Sequence, residues 1–211
     1  FELWSHFKLV RYHYSIDAVG ARNHYIRWPN DWVRAQEAFR QLDEETTNNV
    51  EVTIACAVNA LNIYYVPEFI QWKMEQGFRK INMWPFGAGG INYHFVYWPP
   101  HLNVKILPEW FKDKVQERYE EFYPWWEKNW ELGVPSWHKG KVEYDTWRQA
   151  GYGIKRLQGM VNFMRQDNWS RRLPEFREYI NLIDKQRNLS FVDTFPEMKD
   201  VLLGRDGDIQ E

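Results

Sequence analysis

Ser15 and Asp17 lie two residues apart at the end of a β-branched and aromatic run, Leu9 to Ile16, so a strand there turns both side chains to one face and Ile16 to the other. A hydroxyl that donates and accepts, beside a carboxylate that only accepts, suits a vicinal diol such as a ribose. The same pair also serves as a turn cap and a filler of a small niche, the commoner use at a strand end. Asn59 and Asn62 close a second strand and read as turn formers. His94 and His101 fall on or just after a third strand, where they either face a substrate or bond within the fold. The six histidines show no HExxH or HxxxH spacing, so a zinc site is not expected. Gly87, Gly89 and Gly90 lack a phosphate-loop context and read as a turn. Glu120 and Glu121 beside Arg118 read as a solvated helix face.

The elements that position these groups follow from periodicity. A first strand spans Leu9 to Ile16 and runs into a turn and loop containing Gly20. Asp31 then caps a helix in which Trp32, Ala35, Phe39 and Leu42 recur at steps of three and four. Val50, Val52, Ile54, Cys56 and Val58 alternate as a second strand, with Thr53, Ala55 and Ala57 small enough to lie under a covering helix on the other side. Pro67 opens a helix that stops at Gly77. Lys80 to Trp84 and Ile91 to Tyr97 are further extended candidates.

Strand and helix in alternation mean right-handed parallel crossovers, hence an α/β fold with about three to four parallel strands. Ligands meet such sheets at the carboxyl ends of the strands. Beyond Pro108 only helices are expected. Phe111, Val115, Tyr119, Phe122, Trp126 and Trp130 mark the first, kinked or ended at Pro124. Trp147 to Met164 mark the second, and Pro174 opens the third with Phe176, Ile180 and Ile183 inward. Leu189, Phe191, Val192 and Phe195 read as an anchoring tail, with Gly204 to Glu211 frayed. Residues 1–107 and 108–211 thus form an α/β part and an all-helical C-terminal extension.

The charge balance, 27 basic against 29 acidic residues, leaves no field to gather a nucleic acid. That balance fits a small-molecule or peptide partner, and aromatic residues, 18% of the chain, exclude disorder. No run of about 18 apolar residues exists to span a membrane, and the single Cys56, with no basic-then-apolar pattern in the first residues, makes a reducing cytoplasm the expectation. Cys56 itself reads as a buried small apolar residue.

Ser15-Ile16-Asp17 followed by Arg27 resembles the ribose-binding strand of radical S-adenosylmethionine (radical SAM) enzymes with SPASM or twitch extensions. Val58-Asn59-Ala60-Leu61-Asn62 is similar to that subgroup's next strand. Trp98 to Pro108, and Leu173-Pro174-Glu175-Phe176 through Phe195-Pro196-Glu197, resemble twitch-domain proteins of phage and marine bacterial type. The likeness covers nearly the whole chain. It implies a partial (βα) radical-SAM-like barrel, 1–107, in which Ser15 and Asp17 hold the ribose of S-adenosylmethionine, Arg27 pairs with its carboxylate and Asn59 reaches the same region, while Asn62, His94 and His101 wall a substrate pocket. The family's CxxxCxxC motif and its glycine-glycine-glutamate segment are absent, and Ala18 replaces the usual glycine after Asp17. The sequence opens at Phe1 without an initiator methionine, so the resemblance implies a chain cut partway through the barrel, with the 4Fe-4S cluster in a missing N-terminal half. The function implied is the C-terminal portion of an enzyme of radical hydrogen abstraction, inactive alone. The rival is a non-catalytic aromatic-rich binding module in which Tyr123, Trp125, Trp126 and Trp130 dock a peptide or glycan.

Overall fold

The computed structural model describes residues 1–45, 49–81, 88–133, 150–205 and 208. Three strands, β1 (Val10–Ser15), β2 (Val50–Val58) and β3 (Ile91–Phe95), form one parallel sheet in the order β1-β2-β3. The register pairs Tyr14 with Ile54 and Ile54 with Ile91, so the apolar residues of all three strands share a face. Helices α1 (Gly20–Ile26) and α2 (Trp32–Glu44) join β1 to β2, and α3 (Val66–Glu75) lies between β2 and β3. Beyond β3 the described chain is helical: α4 (Glu109–Asn129), α5 (Ala150–Arg165), α6 (Leu173–Arg187), α7 (Phe191–Thr194) and α8 (Lys199–Leu203), with short 3-10 turns between. The fold is therefore α/β with a helical C-terminal part. Among the described residues no helix is long and apolar enough to cross a membrane.

The core forms where helices meet the apolar face. Phe39 of α2 lies 4.6 Å from the Tyr14 ring and 5.9 Å from Trp72 of α3. From the C-terminal part, Phe163 of α5 stacks on Phe95 at 4.1 Å. These rings join a core of fully buried aliphatic and aromatic side chains, and each removes a large apolar area from water, which drives folding. The opposite face is different. Arg11, His13 and Ser15 of β1 and His94 of β3 are exposed, and Ala55 and Ala57 between them are half-buried. The covering helix expected above Thr53, Ala55 and Ala57 is thus replaced by an open face, of which Thr53 alone is buried, under its bond to His13.

Several elements depart from the sequence expectation. The loop holding Gly20 contains α1, whose seven residues are too few for a periodic signal; tertiary bonds hold it instead, the Tyr25 hydroxyl donating to Asp184 at 2.6 Å. Lys80 and Ile81 are not strand, and the remainder of the 80–84 candidate lies outside the described residues, as does Trp147. Helix α4 continues through Pro124 without ending. Both Pro124 and Glu120, whose carbonyl loses its helical donor, are exposed, so water can replace the missing bond. Within the terminus expected to fray, Asp208 is held: it is 5% exposed and accepts from Trp110 Nε1 at 2.7 Å and Arg177 Nη2 at 2.9 Å. In α4, Trp126 is buried and Trp125 stacks on Phe122 at 5.2 Å, so these rings build the core and its margin rather than a free platform.

Candidate functional site

Chemistry gathers at the carboxyl ends of the strands, where three loops are tied together. β1 ends at Ser15, so strand alternation no longer governs Asp17. Ser15 remains exposed on the open face, while Asp17 turns inward and is 4% exposed. The expected shared aim of hydroxyl and carboxylate is therefore not realised. The Asp17 carboxylate is occupied: the Ala57 amide donates to Oδ1 at 2.7 Å, Arg27 Nη2 reaches Oδ1 at 3.2 Å, and Arg27 Nε lies 2.7 Å from Oδ2. Burial pushes the Asp17 carboxyl above its ordinary value, a shift only partly opposed by the Arg27 guanidinium and the Ala57 amide. The short ion-pair distances favour the charged form, yet desolvation is the larger influence in a site so closed.

Asn62 is the hub of the second loop. Fully buried, it donates from Nδ2 to the carbonyls of Asp17 at 2.9 Å and Ala57 at 3.0 Å, and its Oδ1 accepts the Asn59 amide at 2.8 Å. Asn59 donates to Ala57 O at 2.9 Å and accepts from Leu61 N at 2.9 Å. Both asparagines thus spend their side chains on the turn, as local strand-end chemistry dictates. Asn23 of α1, fully buried and not foreseen, accepts the Asp17 amide at 3.1 Å. The third loop joins in through the Ala60 amide, which donates to Leu102 O at 2.8 Å, and through Asn103 Nδ2, which donates to Val96 O at 2.9 Å. Asp17, Arg27, Asn59 and Asn62 therefore converge at one end of the sheet, as a bonded frame.

The open face beside that frame has two halves. Toward the amino ends it is self-paired: Arg11 Nε meets Glu51 at 3.0 Å, and His13 Nδ1 lies 2.7 Å from the Thr53 hydroxyl. Toward the carboxyl ends it is not. Ser15, Ala55 and Asn92 are neighbours across the three strands, and Ala57 pairs with His94. No described residue bonds the side chains of Ser15, Asn92 or His94. With strands about 4.8 Å apart, Ser15 and Asn92 flank an alanine floor roughly 10 Å wide. No family model, curated protein or solved structure matches this chain. The geometry of the residues is therefore what speaks to function. Asn92 carries a signal available from sequence: Asn92 and His94 alternate with the apolar Ile91, Tyr93 and Phe95, which places them on the opposite, open side. His101 sits apart from the floor, in the 3-10 turn Pro100–Leu102, with its ring 4.9 Å from Tyr179. Cys56 lies under the frame, fully buried, with burial pushing its thiol well above the ordinary range. Among the described residues no group of three or more His, Cys, Asp or Glu could hold a metal ion.

Proposed function

We propose that this chain supplies the carboxyl-terminal strands of a radical SAM (βα) barrel, with the alanine-floored half of the open face as its nucleoside wall. The observation that carries the reading is the pairing of a solvent-open face of a parallel sheet with unengaged Ser15, Asn92 and His94 side chains at the carboxyl ends of the strands. Parallel sheets ordinarily bury both faces, and in a barrel the inner face is lined by the residues that would stand on the open one here.

In this reading Ser15 offers its hydroxyl to a ribose, and Ala55 and Ala57 leave room for a flat ring to approach the strands. Asp17 acts one step back from the ligand: it holds Arg27 and the Ala57 amide, so the guanidinium is presented from a fixed position with its remaining N–H groups available to a ligand carboxylate. Asn59 and Asn62 fix the loop that carries this frame, and His94, on the open face, stands toward the substrate side. Bound S-adenosylmethionine supplies the radical source of such enzymes. The 4Fe-4S cluster that reduces it does not fit this chain, whose one thiol is buried beneath the frame, so the cluster, like the remaining strands, belongs to another stretch of polypeptide. A small-molecule, peptide or sugar substrate and a cytoplasmic setting complete the proposal.

The test is equilibrium dialysis of the chain with radiolabelled S-adenosylmethionine. Saturable binding that weakens about tenfold in Ser15→Ala, the value of one or two lost hydrogen bonds, is the expected result. No retention of label, or equal retention by the variant, refutes the assignment.

A further inference from the structure

The outer edge of the sheet at β1 is unpaired among the described residues. The Val10 amide donates to Asn49 O and the Ile16 amide to Ala55 O, so the ladder to β2 takes the backbone groups of Val10, Tyr12, Tyr14 and Ile16. The N–H and C=O groups of Arg11, His13 and Ser15 therefore point away from β2, and no described residue bonds them. Such an edge is a template for another strand, and a chain that must stay single blunts it with lysine, proline, a bulge or a cover. Val10–Ser15 holds no lysine, proline or glycine, and it pairs with β2 in unbroken register. Its permanently charged residue, Arg11, is engaged by Glu51 at 3.0 Å. The row on the core side is left partly open, with Tyr12 and Tyr14 half-buried and their rings 6.1 Å apart.

The order of residues along the strand selects what pairs there. About His13 the strand is symmetric in chemical type: Tyr12 and Tyr14 flank it on the core side, and the polar Arg11 and Ser15 lie beyond them on the open side. We infer that β1 pairs antiparallel with β1 of a second copy of this chain, about a two-fold axis at His13, which doubles the three-stranded sheet. In that register Arg11 faces Ser15 of the second copy and His13 faces His13, and each hydrogen-bonded pair exchanges two backbone bonds, about six in all. Tyr12 faces Tyr14 at the closer, non-hydrogen-bonded positions, where aromatic pairs stabilise neighbouring strands. Arg11 meets a hydroxyl rather than another cation. A slip by two residues in either direction sets Arg11 or Ser15 against chain beyond the strand and breaks the Tyr12–Tyr14 pairing, so the register is specified. A contact of this kind uses the same patch on both copies and closes at two. It involves the backbone edge and not the open face, so it goes beyond the nucleoside reading and is independent of it. Strands that complete a barrel would compete for the same edge.

Sedimentation velocity of the full 211-residue chain tests it. A concentration-dependent dimer is expected between about 5 and 500 µM, the range suited to an interface at the small end of the size classes. His13→Pro removes an outward N–H that the ladder to β2 does not use, and should leave a monomer throughout. Ser15 is exposed, so its charge variants keep the fold, verified by an unchanged circular dichroism spectrum. Ser15→Glu sets a carboxylate opposite Arg11 on both sides of the axis and should tighten the dimer about threefold or more, whereas Ser15→Lys opposes like charges there and should loosen it by about as much. A chain that stays monomeric over the whole range overturns the inference. So does a dimer whose affinity is the same in Ser15→Lys and Ser15→Glu, or an assembly that grows beyond two copies instead of closing.

Discussion

Replacing Asp17 tests the bonded frame directly, because two of its interactions can be removed separately. Asp17→Ala deletes the acceptor of the Ala57 amide at 2.7 Å and the counter-ion of Arg27. Leaving a buried amide unsatisfied costs about 1–3 kcal/mol. Breaking a fully buried ion pair costs about 3–5 kcal/mol, but Arg27 is 31% exposed and can turn to water, so about 1–2 kcal/mol is the appropriate share. Asp17→Ala should therefore lose roughly 3–4 kcal/mol. Asp17→Asn keeps an oxygen for Ala57 and should lose only about 1–2 kcal/mol. Urea denaturation followed by tryptophan fluorescence reads both, and at a slope near 3 kcal/mol/M the alanine variant should shift its midpoint down by about 1 M. Equal losses in the two variants would refute the role given to the Ala57 amide. Losses under about 0.5 kcal/mol in both would place the frame among surface ion pairs that contribute little.

Two further outcomes follow from the same structure. A β-carbon at Gly153 would lie 2.2 Å from the Trp126 ring, so Gly153→Ala should force α4 and α5 apart and lower stability by about 1–3 kcal/mol in urea denaturation, despite alanine's better helix propensity; a stabilised variant would contradict the packing. For pH dependence, the folded Asp17 carboxyl titrates above its unfolded value of 3.8, so folded protein binds the proton more tightly and stability from this group falls as pH rises from about 3.8 through the folded value. The stability difference between wild type and Asp17→Asn should accordingly be largest at the acid end of that window and shrink above it, and a difference that grows with pH would reverse the assignment of burial as the dominant influence.

Strand β2 is legible from sequence because five apolar residues alternate with Glu51, Thr53, Ala55 and Ala57 over nine positions, and α2 because Asp31 accepts from the Val33 amide at 2.8 Å ahead of a clear apolar stripe. The strand-end asparagines are legible as turn formers for a similarly local reason. What escapes a linear reading is long-range: α1 is held by Asp184, 159 positions beyond Tyr25, and Asp208 is held by Trp110 and Arg177. The division of labour between Ser15 and Asp17 escapes as well, since alternation applies only while the strand lasts, and β1 stops between them. The open side of the sheet is missed because Ala55 and Ala57 look the same whether a helix or a ligand is to approach them.

The self-paired half of that face constrains what can lie against it. Arg11 with Glu51 and His13 with Thr53 form a hydrophilic pavement under the alanines. A greasy surface pressed onto it would strip hydration from an ion pair and an imidazole without offering hydrogen bonds in return. Any segment that roofs these strands must therefore be studded with matching dipoles or leave a layer of ordered water, and the interior it encloses will be wet.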